Sequence, residues 1–297
     1  MSNQITTAFV NQFKSGIELQ FQQAGSRLRP FVMNESQNSE YAYYDRIGAV
    51  SAAEVTTRHG DTVYTETPHS RRRCQLKRFD VADLIDDADR LQMLTDPTSS
   101  YVQNFAFALG RKIDEEIIAA AKGTAYTGKT GATAVPFSAG QTVAVNYVET
   151  GSTANSNLTW AKLRKAKYLL ESAEAINPGE PLVLAYTANQ KQSLLRLAES
   201  ANVAGYTMSR IERGEVGDLM GLTLVQTELL SKSGNNRSVL VFPKSAITLA
   251  IAKDITARVD ELPGKRYSVQ AYACMQVGAV RMWEEKVVEI LADETVG

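Results

Sequence analysis

Apolar residues recur at Tyr101, Phe105, Leu109, Ile113 and Ile117, a four-residue step that places them on one face of a helix. Asp96-Pro97 offers an N-cap followed by proline at the first helical position, and Gly123 offers a C′ glycine at the far end. The predicted helix, residues 97–122, would run about 39 Å at ~1.5 Å per residue and reads as a structural spine. A second helix is predicted from Thr159, carrying Leu163, Ala166, Leu170 and Ala173 before Pro178. LVLAY (182–186) reads as a strand, and Thr187 to Gln190 matches a capping box that opens TANQKQSLLRLAES. GLTLVQTELL and RSVLVF read as further strands. RYSVQAYACMQVGAVRMWEEKVVEIL reads as two long strands, with period-2 alternation at Val269, Ala271, Ala273 and Met275. The fold class is α+β.

The N-terminal part differs. Residues 1 to about 35 scatter Phe9, Val10, Phe13, Ile17, Leu19 and Phe21 among Gln and Asn before Gly25 and Pro30 break the pattern. This stretch reads as an arm with too little apolar surface to fold alone, so it docks on something. From Tyr41 to about Asp80, YAYYDRIGAV alternates Tyr41, Tyr43 and Ile47 with polar neighbours, and SRRRCQLKRF sets Cys74 and Leu76 on one face. Between them lies a polar stretch with turn residues at Gly60-Asp61 and Pro68. The expectation is a long, charged, tyrosine-rich β-hairpin. Two strands alone are marginal in water and their edges invite pairing, so the ribbon is expected to lie on a neighbouring molecule.

At 297 residues the chain exceeds what one core usually holds, which predicts two subdomains or one elongated body. Lys+Arg total 32 against Asp+Glu 33, a net charge of -1. That balance argues against tight binding of DNA phosphates or of anionic membranes. Cys74 and Cys274 form no C-x-x-C pair, so neither a zinc site nor a disulfide framework is expected. The first residues, MSNQITTAFVNQFK, lack the pattern of a secretory signal, and no run approaches a membrane span.

Three stretches could carry chemistry. GTAYTGKT, Gly123 to Thr130, fits the phosphate-loop pattern G-x-x-x-x-G-K-[ST], with Gly128, Lys129 and Thr130 in the nucleotide-binding positions. Its context argues against that role. The loop leaves a helix C-terminus, whose partial charge repels phosphate, and GATAVPFSAG cannot start a following helix. No apolar strand ending in Asp or Glu follows to hold Mg²⁺. A flexible loop after a capped helix is expected instead. The second stretch holds His59, Asp61 and His69 with Cys74 nearby, but in a polar hairpin tip that neither excludes water nor fixes ligands. The third is acidic, with Asp80, Asp83, Asp86, Asp87 and Asp89; it lacks calcium-loop spacing and is expected to be a solvated helix face. The alternative is a landing site for arginines, and Arg71, Arg72 and Arg73 form the complementary basic run. No catalytic, cofactor-binding or metal-binding residue is expected.

The remaining features describe a building block, and here the sequence resembles a known family. The order of arm, long hairpin, spine helix, α/β portion and C-terminal long strands is similar to the major capsid protein of tailed bacteriophages, a fold shared with encapsulins and the herpesvirus capsid floor. QITTAFV, RHGDT with TPHSRRR, DPTSSYVQ, GTAYTG and VRMWEEKVVEI resemble one group of these proteins. The resemblance covers nearly the whole chain. It implies an N-terminal arm (1–40), an extended loop (41–79), a peripheral domain (80–155 with 265–297) and an axial domain (156–264). It further implies hexamers and pentamers closing an icosahedral shell around double-stranded DNA, in a virion assembled in the host cytoplasm. Portal and decoration proteins are implied partners. The chain leaves no room for a fused scaffolding segment, which implies a separate scaffolding protein. Two other classes stand beside this reading: an encapsulin-like shell holding cargo, and a nucleotide-dependent enzyme using Gly123 to Thr130. Under the capsid reading, Arg71 to Arg73 face carboxylates of an adjacent subunit, with Asp86, Asp87, Glu284 and Glu285 as candidates.

Overall fold

The computed structural model describes residues 22–54, 56, 58, 60–62, 64–85, 98–200 and 220–296. The described part opens with a 3₁₀ turn at Arg29–Phe31 and strand β1 (Met33–Ser36). The ribbon strands β2 (Tyr41–Ile47) and β3 (His69–Gln75) follow, then β4 (Lys77–Ile85) and the spine helix α1 (Thr98–Lys122). Three short strands come next: β5 (Ala125–Thr127), β6 (Thr133–Val135) and β7 (Thr142–Val143). The α/β portion runs α2 (Trp160–Ser172), β8 (Leu182–Tyr186), α3 (Ala188–Ser200), β9 (Leu222–Gln226), β10 (Lys232–Ser233) and β11 (Asn236–Pro243). Strands β12 (Ile247–Leu262), β13 (Ser268–Arg281) and β14 (Val288–Asp293) complete it.

These strands form three sheets. The first has the order β1-β12-β13-β4, with β1 parallel to β12 and the other pairs antiparallel. The second has the order β7-β14-β11-β8-β9, with β10 on β11. The third, β2-β3-β5-β6, contains the ribbon. The ribbon is therefore not an isolated pair: Arg72 and Arg73 of β3 pair with Thr127 and Tyr126 of β5. The longest strand, β12, had no signal in the apolar pattern. It joins β13 along almost its whole length, across two register shifts between Ile251 and Thr256.

Helix α1 lays Phe105, Leu109, Ile113 and Ile117 against the first sheet, where they meet Ala271, Ala273, Met275 and Val277 of β13. The four-residue step thus finds the period-2 face it was built to cover. Strand β8 serves two cores at once. Val183 and Ala185 join the α1 core, while Leu182, Leu184 and Tyr186 face α2 with Leu163, Ala166 and Leu170. A strand buried on both faces reads as a continuous apolar run, as LVLAY does. Both helix starts expected in this portion are observed. Thr159 caps α2 by accepting from Lys162 N, and Thr187 N donates to Gln190 Oε1 at 3.1 Å at the start of α3. Among the described residues no helix is long and apolar enough to cross a membrane.

Candidate functional site

The stretch GTAYTGKT forms neither a phosphate loop nor an irregular one. Ala125–Thr127 is β5, and it pairs antiparallel with Thr133–Val135 of β6, so the motif is one arm and the turn of a hairpin. Gly128 and Gly131 take the positive φ values of 95° and 64° that the turn requires, and Lys129 and Thr130 are exposed at its tip. No helix follows, so no N-terminal amides converge on an anion. Gly123 also differs from the expected left-handed cap, for its φ is not positive. Its N–H still donates to Ala119 O at 2.7 Å, and a Cβ there would stand 2.5 Å from that oxygen. The last carbonyls of α1 are satisfied instead by Arg281, whose Nη1 donates to Ala121 O and Gly123 O, each at 2.8 Å.

The histidine group does not assemble. His59 lies outside the described residues, Asp61 is exposed, and His69 is exposed at the start of β3. Cys74 faces the opposite way, into a small core with Leu76, Ala250 and Val280, where burial pushes its thiol up to about 12. Such a thiol is inert. Cys274 accepts from Lys253 Nζ at 3.1 Å, which holds its thiol below the ordinary value. Among the described residues no cluster of His, Cys, Asp or Glu could hold a metal ion. The acidic stretch corrects a second expectation. Asp80 and Asp83 lie on strand β4, not on a helix, because β13 supplies a partner register from Lys77 to Ile85; Asp86, Asp87 and Asp89 lie outside the described residues.

Alternation along β3 sends the three arginines to two faces. Arg71 and Arg73 stand on the outer face with Tyr41, Tyr43 and Tyr126. Arg71 makes a bidentate pair with Asp45 of the same chain, 2.5 and 3.1 Å, and sits over the Tyr43 ring. Arg73 lies between the Tyr41 and Tyr126 rings, 5.2 and 4.7 Å from their centroids. Arg72 turns inward and is buried. It bonds Glu284 Oε1 and Met282 O, and Arg46 reaches the same carbonyl while lying over Trp283. Two of the expected neighbour contacts are therefore internal. Arg71 has its own aspartate, Glu284 is held by Arg72 of its own chain, and of the other candidates only Glu285 is described and exposed.

Beyond the ribbon strands the chain covers itself poorly. Every described residue from Ala49 to Pro68 is exposed, and none lies in a strand. Val50 and Tyr64 are 50% and 91% exposed, so Val50 is only half covered and Tyr64 is almost wholly uncovered.

The structure also shows a fastening that the sequence did not signal. Asp114, in the middle of α1, is fully buried and accepts four hydrogen bonds from the arm. The donors are Gln23 Nε2 and Ser26 Oγ, each at 2.5 Å, Arg27 N at 2.9 Å and Leu28 N at 3.1 Å. The arm crosses the helix at Gly110, where an added Cβ would stand 2.6 Å from Gly25 Cα. Farther on, Arg29 forms a bidentate pair with Asp254 of β12, 2.9 and 2.6 Å, and holds that carboxyl below its usual range. Only the IDEEI context of α1 could have hinted at Asp114: a charge between two core isoleucines, Ile113 and Ile117, sits near the buried stripe.

Comparison with known proteins gives one consistent result. A family model described as phage capsid protein matches residues 5–294. No curated protein matches by sequence. Among solved structures, one from Mycobacterium phage Che8 is similar at TM-score 0.67 and 18% identity, covering 97% of this chain and 98% of that one. The capsid of Ralstonia phage GP4 gives TM-score 0.72 at 9% identity, with 96% and 95% covered. The Cyanophage Pam1 capsid gives 0.69 at 14% identity, with 98% of each chain covered. At these identities the likeness carries the fold: an α+β chain with the tailed-phage capsid architecture.

Proposed function

The chain belongs to the phage capsid protein family and is a structural subunit of a capsid shell; from that premise we propose that its copies form hexamers and pentamers closing an icosahedral shell around double-stranded DNA. Residues 1–40 serve as an arm, 41–79 as an extended loop, 80–155 with 265–297 as a peripheral unit and 156–264 as an axial unit. The last two ranges share two sheets, through β12 on β13 and through β11 on β14. Assembly takes place in the host cytoplasm with a separate scaffolding protein, a portal and decoration proteins as partners. The DNA is enclosed without tight binding, in keeping with the net charge of -1.

The observation that carries this reading is the segment from Ala49 to Pro68. A run of that length, exposed throughout its described residues, without strand partners and bearing an uncovered Tyr64, is free to lie on another surface. The same chemistry repeats on the ribbon face, where tyrosines and arginines, residues enriched at interfaces, stand together. A patch that meets a different patch on the next copy generates a ring when the rotation closes. Deleting residues 52–67 tests this. The variant should remain a soluble, folded subunit with an unchanged far-UV spectrum, yet form no closed particles in electron micrographs. Normal closed particles from the variant would show that the loop is not the clamp.

A further inference from the structure

The root of the ribbon holds more buried positive charge than its surroundings neutralise. Arg46, Arg72 and Arg281 converge on the bend after β13, where Glu284 is the carboxylate in contact with all three. Glu285 acts on Arg46 from the exposed side. Arg72 and Arg281 are 1% and 0% exposed, so neither can turn to solvent. Their backbone and Glu284 contacts leave donors over: Arg72 Nη1 and Arg281 Nε and Nη2 are buried without a hydrogen-bond partner among the described residues. Arg281 Nη2 stands 3.8 Å from Glu284 Oε1, an ion-pair distance and not a hydrogen bond. On its other side lies the Phe137 ring, 5.2 Å from the guanidinium carbon, which offers no lone pair.

A guanidinium does not shed its proton, so the excess charge stays in place. Buried charges persist when they are paired, and arginine donors bind anions well. We propose that Arg72 and Arg281 bind a small inorganic anion of halide size, held by the three unpartnered donors and fixing the ribbon to the end of α1. Arg281 also lines a recess of about 190 Å³ bounded by Arg73, Thr124 and the Lys77–Glu116 ion pair, a route for small solutes to Arg281.

The test uses the purified protein in sodium chloride and in sodium gluconate at matched ionic strength. The unfolding midpoint should rise by about 3 °C in chloride and saturate, as ligand binding to the folded state requires. The Arg72→Lys variant, which keeps the charge but loses Nη1, should show no saturable rise. Should that variant fail to fold, the second measurement stands alone: crystals grown in sodium bromide should give an anomalous peak within hydrogen-bond reach of Arg72 and Arg281. Equal midpoints in the two salts, or no bromide peak at the cluster, would mean that ordered water satisfies these donors, and the proposal would fall.

Discussion

Residues 22–36 and residues 48–68 both leave the body of the subunit as extended chain, and their polar groups have opposite fates. In the first, backbone N–H groups at Arg27 and Leu28 end on a buried carboxylate, Arg29 ends on Asp254, and β1 adds itself to β12. In the second, the backbone bond from Gly48 N to Pro68 O closes the base, and the described residues beyond it lie open to water. An extended segment has no core of its own, so what fixes it is where its donors and apolar groups end. The arm ends inside its own subunit. The described residues of the loop end on nothing in their own subunit, which is the condition for ending on a neighbour.

Changes that invert this contrast test it, in order of size. Asp114→Ala removes one charged acceptor from four donors, leaving the buried Leu28 N–H and the part-buried Arg27 N–H unpaired. It should destabilise the subunit by about 3–5 kcal/mol in denaturant titration, because breaking a buried hydrogen-bonded charge leaves its partners desolvated. A loss below about 1 kcal/mol would mean that water replaces the carboxylate and that the arm is not fastened there. Asp254→Asn is the milder cut. Its pair with Arg29 is partly exposed, so the loss at pH 7 should be about 0–1 kcal/mol. The sign with pH is fixed by the lowered carboxyl: the stabilisation is present above the ordinary aspartate range and disappears as pH falls through the folded value. Midpoints of the native and Asp254→Asn proteins should therefore converge in acid, and a gap that widens there would contradict the pair. Tyr64→Ala is the smallest. Its effect on subunit unfolding should lie within about 0.5 kcal/mol, as for other exposed positions. Its effect should appear instead as a lower yield of closed particles, and a large loss of subunit stability would show that the loop packs on its own chain.

What was legible in the sequence depended on how local the cause was. The spine helix, β8, the capping box at Thr187 and the alternation of β13 are written in neighbours a few residues apart, and each is seen. Strand β12 was invisible because its pattern is apolar at Ile247, Leu249 and Ile251 and then mixed, with both faces exposed from Ala257 to Glu261. Two register shifts also break its period, and its identity comes from β13 beside it. The Asp114 fastening was hidden because an aspartate within a helix reads as solvated, while its donors lie 86 to 91 residues away. The arginine run was read as one outward patch, whereas strand alternation sends Arg72 to the inside. The phosphate-loop resemblance failed for a reason visible in advance, its position after a helix, but the hairpin that replaced it depended on β3 as a partner.

Strand β12 has a mechanical consequence. Its 16 residues span about 50 Å at ~3.3 Å per residue, with β1 along its first part and β13 along nearly all of it. Tension applied along such a strand loads its ladder in shear, so the bonds on both edges must yield together instead of opening one at a time from an end. Bending across the sheet meets no such resistance where the strand outruns α1 and both faces are bare. The subunit is stiff to stretching and compliant to flexing, as a tie-rod is, and a wall of such parts can change curvature without lengthening.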